Sequence, residues 1–168
     1  MKERRALGEI TAALMLILIV IGAGIALFFM YSGMLKTSGR ALLSLTASGI
    51  ASPDGSEATI TLIVQNNGEG TARIRYIYVE PIGNAPKPSD VGVVGATNVT
   101  ATSGTPPSNP PKMDQYGGLD LASKRTSTIS IRITGSNIYP GHHYRISVLY
   151  YDIASRDPML IDTIVTLK

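Results

Sequence analysis

The sequence predicts an α+β protein, with a long N-terminal hydrophobic α-helix followed by an antiparallel β-sandwich. Ile10 to Tyr31 is a run of 22 residues with no charge and no proline. From about Ala58 the apolar pattern changes to a two-residue period. The alternating stretches are then separated by clusters of Gly, Pro, Asn, Asp and Ser, as strands and turns are in a sandwich or barrel.

The chain has 168 residues, room for one ordinary domain and an accessory element. It contains no cysteine, which excludes a disulfide framework, a thiolate zinc site and a thiol nucleophile. The net charge of +3 is thinly spread, so nucleic acid is not an expected partner.

As a helix, residues 10–31 would extend roughly 33 Å, enough for a hydrocarbon core of ~30 Å. A cleaved secretory signal has a shorter apolar region, with small residues after it. Here Ala6 and Gly8 precede the run, and Lys2, Arg4 and Arg5 come before them. The positive-inside tendency puts the N-terminus in the cytoplasm and the rest of the chain outside. Gly22 and Ala26, four apart, share one helical face and permit close approach of helices. A helix apolar all round has to be covered on every side, by lipid or by other helices. Leu35, Leu42, Leu43 and Leu45 keep an approximate helical spacing, so the helix is expected over 7–48.

The stretch "RRALGEITAALMLILIVIGAGIALF" resembles the class III signal of archaeal type IV pilins. The resemblance implies a cytoplasmic-side cut by a prepilin peptidase after a small residue that follows Lys or Arg. Arg5 and Ala6 match that pattern, so the favoured cut falls between Ala6 and Leu7, leaving 1–6 as the leader. Gly8/Glu9 is the alternative, where Leu7 stands in place of the basic residue. Bacterial type IV pilins carry a glutamate five residues into the mature chain, whereas Glu9 would stand third or first. Glu9 either complements the helix dipole or pairs with a neighbouring subunit's freed amino group.

The rest reads as strands. "ATITLIVQ" sets Ile60, Leu62 and Val64 against Thr59, Thr61 and Gln65. "NNGEG" is a turn, and "TARIRYIYVE" follows, with Ile74, Tyr76 and Tyr78 on one face. "TSTISIRIT", "HYRISVLYY" and "PMLIDTIVTLK" give three more strands, and "DVGVVGATNVTAT" one or two weak ones. "SGTPPSNPPK" is loop, either on the outside of an assembly or wedged between subunits. The phrasing "VQNNGEGTARI…YPGHHYRISVLY" is similar to the immunoglobulin-like sandwiches of archaeal surface proteins, and the sandwich is expected over 49–168. Tyr144, after a Pro-Gly turn, is either a corner tyrosine or a plain core residue.

Candidate chemistry is sparse. Asn98-Val99-Thr100 fits the N-glycosylation acceptor. His142 and His143, adjacent on a strand, would point to opposite faces. Asp152, Asp157 and Asp162 recur every five residues without a calcium-loop motif. No catalytic motif, metal site or cofactor is expected, and the chain is read as not an enzyme. The resemblance implies a self-polymerising pilin, held in the membrane before assembly and then exported into an adhesive filament by the assembly machinery. An archaellum subunit, or a membrane-anchored surface-binding protein that does not polymerise, is the alternative.

Overall fold

A computed structural model of the chain describes residues 15–27, 39–95, 98–113 and 117–168. The chain divides into two compact units, residues 1–39 and 40–168. The second is a nine-stranded sandwich: β1 (Leu43–Ala51), β2 (Glu57–Asn66), β3 (Ala72–Ile82), β4 (Asp90–Val94), β5 (Thr100–Ser103), β6 (Leu119–Leu121), β7 (Thr126–Thr134), β8 (His143–Asp152) and β9 (Pro158–Thr166). Sheet A runs β1-β2-β7-β4; sheet B runs β5-β3-β8-β9, with β6 also paired to β3. Ile60, Leu62 and Val64 of sheet A meet Ile74, Ile146 and Val148 of sheet B in one buried core.

The expected long helix is corrected by this structure. Strand makes up 51% of it, and the one helix among the described residues covers 15–27. That segment of 13 residues would span only ~20 Å at ~1.5 Å per residue. No helix among the described residues is long and apolar enough to cross a membrane. The fold is therefore mostly β, and its second unit starts at Arg40. Positions 7–14 and 28–38 of the expected helix lie outside the described residues.

The tail of that helix is strand β1 for a readable reason. In "LSLTASGIA", Leu43, Leu45 and Ala47 alternate with Ser44, Thr46 and Ser48, a period of two. Hydroxyl residues and Gly49 are poor helix formers, and β1 pairs antiparallel with β2 from Leu43↔Asn66 to Ala51↔Ala58.

The registers of β2, β7, β8 and β9 follow their alternation, but β3 departs from it. Its pairing with β8 shifts between Ile74 and Tyr76. Arg75 is the extra residue of this bulge, so everything after it changes face. Ile77 and Val79 enter the core in place of Tyr76 and Tyr78, whose rings turn to the outer face of sheet B. One further pairing differs from expectation: β5 lies parallel to β3.

Candidate functional site

Residues 40–42, the first of the sandwich unit, are held with unusual completeness. The Ala41 N–H donates to Asp152 Oδ2 at 2.6 Å. The next amide, Leu42 N–H, donates to Asn66 Oδ1 at 3.2 Å. Two successive amides thus meet two different side chains, exposed by only 1% (Asp152) and 0% (Asn66).

Each holder is itself anchored. The other carboxylate oxygen of Asp152 accepts N–H bonds from Ala154 at 2.8 Å and Ser155 at 3.2 Å. Burial pushes this carboxyl up, but the three amides and the Arg40 charge outweigh it, holding it below its ordinary value. Asn66 Oδ1 also accepts from the Gly68 N–H, while its Nδ2 donates to the carbonyls of Gly70 and Leu121 at 2.7 and 3.0 Å. The Leu42 carbonyl accepts from the Asn67 N–H at 2.7 Å, so the turn after β2 closes over the entering chain. Gly68 permits this approach, because a Cβ there would strike the Arg40 carbonyl oxygen.

The outer faces of the two sheets differ. Sheet A's is lined with hydroxyls, Ser44, Thr46 and Ser48 standing beside Gln65, Ile63 and Thr61 and, across β2, beside Thr126, Thr128 and Ser130. Sheet B's is covered by the loop after β5. Met113 and Tyr76 pack on Tyr78, Leu149 and Tyr151, and the Tyr151 hydroxyl donates to the Pro111 carbonyl at 2.5 Å. The proline segment, read from sequence as loop, forms a strap over a second small apolar cluster. A cleft of about 300 Å³ remains between Pro106, Pro107 and Leu160. Strand β9 pairs with β8, and its outward Leu160 and Ile164 stay 47% and 60% exposed.

The residues picked from sequence fall in several places. Arg5, Ala6, Leu7, Gly8 and Glu9 lie outside the described residues. Gly22 and Ala26 lie in the 15–27 helix, whose large apolar side chains are 53–69% exposed. Asn98 and Thr100 are exposed on either side of buried Val99, with the Asn98 carbonyl fixed by the Gly118 N–H at 2.8 Å. His142 Nδ1 accepts from the Tyr139 N–H, and His143 Nδ1 bonds Thr166 Oγ1. Asp157 and Asp162 are exposed, away from buried Asp152, and no group of three potential metal-ligating residues occurs among the described residues. Tyr144 is fully buried, its hydroxyl donating to Pro86, 58 residues away, not to the nearby backbone a corner tyrosine would reach.

Sequence reasoning missed the collar around residues 41–42. Its partners are 24 and 111 residues apart in the chain, and the only local hint is an asparagine that opens a Gly-rich turn.

No family model matches the chain, and no curated protein matches it. Solved structures do. The ASH/PapD-like domain 7 of human CEP192 is 10% identical, with 77% of this chain and 85% of that one covered, at a TM-score of 0.40. The YadV chaperone is 12% identical over 75% and 51% of the two chains, TM-score 0.43. The E. coli chaperone DraB is 15% identical over 75% and 55%, TM-score 0.42. The chain spans about half the length of those two chaperones, and likenesses this distant carry no argument about function. Two layered sheets with a shared core make this unit a β-sandwich.

Proposed function

We propose that this chain is the structural subunit of an extracellular filament of the archaeal type IV pilus kind, non-enzymatic and polymerising with copies of itself. The observation that carries the reading is an uncharged N-terminal run attached to a sandwich with a firmly clamped entry. The exposed apolar surface of the 15–27 helix requires a cover that water cannot supply, each large aliphatic side chain being worth roughly 1.5–3 kcal/mol when buried. Membrane lipid covers it before assembly and neighbouring subunits afterwards, with Gly22 and Ala26 at the close contact. Leader removal by a prepilin peptidase at Arg5–Glu9 and export by the assembly machinery complete the scheme, whose product serves adhesion. The hydroxyl-lined face of sheet A and the exposed Leu160 and Ile164 of β9 suit lateral contact between copies. Asn98 is the site for glycan.

The test is to shear native cells, image the released filaments and map their peptides. This chain is expected as a filament component, and Gly22→Val with Ala26→Val is expected to abolish filaments while the sandwich still folds. Cells whose filaments lack this chain would overturn the reading in favour of an anchored surface domain.

A further inference from the structure

Asp152 raises a question that general packing does not answer. It is a carboxylate, 1% exposed, with three backbone amides as its hydrogen-bond partners. Burying a charge is costly, and an apolar residue at the end of β8 would fill the space without that cost. The carboxylate instead joins two segments, the turn after β8 and the start of the sandwich unit. Its shortest bond, 2.6 Å, goes to the entering chain at Ala41.

We propose that Asp152 is a charge-operated latch on the chain's entry. Ionised, it holds Ala41 next to the Leu42 that Asn66 and the Asn67 N–H hold; neutralised, it releases the backbone at Ala41 while Leu42, the β1 ladder and the core stay closed. A neutral carboxyl loses the charge-assisted part of all three bonds together, and its proton faces amide donors rather than an acceptor. The titratable groups acting on it are Arg40 on the entering segment and Tyr150 on its own strand. The first residue pair of the ladder, Leu43↔Asn66, lies beyond the released stretch, so the ladder is not required to open with it. The inference does not depend on the filament reading, since it concerns only how the sandwich grips the chain that leads into it.

Trypsin reports the latch directly. Cleavage at Arg40–Ala41 requires an extended, accessible stretch across that bond, which the clamp denies. In detergent-solubilised full-length protein, Asp152→Asn is expected to speed cleavage at that bond about tenfold or more, the worth of a hydrogen bond to a charged acceptor. Hydrogen exchange at Ala41, Ala154 and Ser155 is expected to rise with it, by a larger factor than at Ile131 and Val148 in the core. Asp162→Asn, on exposed β9, should leave both readouts alone. Should Asp152→Asn fail to fold, the wild type carries the test. Its Ala41 exchange, corrected for the intrinsic pH effect, should rise relative to Ile131 as pH falls from about 5 to about 3. Exchange at Ala41 that rises only in step with the core amides, or Arg40–Ala41 cleavage unchanged in the variant, would overturn the latch.

Discussion

Asn66→Ala is the substitution whose cost the structure states most fully. The side chain satisfies four backbone groups: the amides of Leu42 and Gly68 and the carbonyls of Gly70 and Leu121. Alanine leaves all four without it. At ~1–3 kcal/mol for each unsatisfied buried group, the upper bound is ~4–12 kcal/mol, comparable with a whole domain's stability of ~5–15 kcal/mol. The geometry narrows that range. Only the bond to Leu121 is fully buried, and the other three are partly buried at a turn, where water can replace the amide. The expected loss is therefore about 3–5 kcal/mol, read as a lower urea midpoint with the slope unchanged. Asn67→Ala is the control. Its side chain donates one exposed bond to Ser44 Oγ, and its loss should stay within about 0.5 kcal/mol. Asn66→Asp should lose more than alanine at neutral pH, because a carboxylate oxygen would face two carbonyls. An Asn66→Ala loss below about 1 kcal/mol would refute the idea that this side chain organises the entry.

Other consequences are open to measurement. The Asp152 carboxyl is held below the ordinary 3.8, so its contribution is fully present above the unfolded value and lost as pH falls through the folded one. Stability should be flat in this respect from about pH 5 upward and fall below about pH 4, with the acid limb shallower in Asp152→Asn. Gly68→Ala should cost about 1–3 kcal/mol by collision with Arg40 and Leu42, whereas Gly92→Ala, with open space at its Cβ, should be near neutral. Tyr151→Phe removes the hydroxyl bond to Pro111; the sandwich should lose about 1 kcal/mol, and trypsin should cut after Lys112 several-fold faster.

The parts of the fold visible in sequence were those governed by alternation. Ile129, Ile131 and Ile133 on β7 and Tyr144, Ile146, Val148 and Tyr150 on β8 are buried as their period requires. The same rule misplaced Tyr76 and Tyr78, because one inserted residue at Arg75 reverses the faces and no local signal marks it. Leu42 and Leu45, three apart, fit a helical spacing, whereas Leu43 and Leu45 fit a strand spacing, with hydroxyl residues between them that favour the strand. The collar was out of reach. Asp152 and Ala41 are neighbours only because β8 and the start of β1 come together in the folded sandwich, 111 residues apart in the chain.

The central claim is that the chain is processed and assembled into filaments. Its most direct test is the N-terminal residue and intact mass of the protein recovered from sheared extracellular filaments. The account predicts a start at Leu7 or Glu9, with mass in excess of the polypeptide where Asn98 carries glycan. Protein confined to the membrane fraction and starting at Met1 would contradict it.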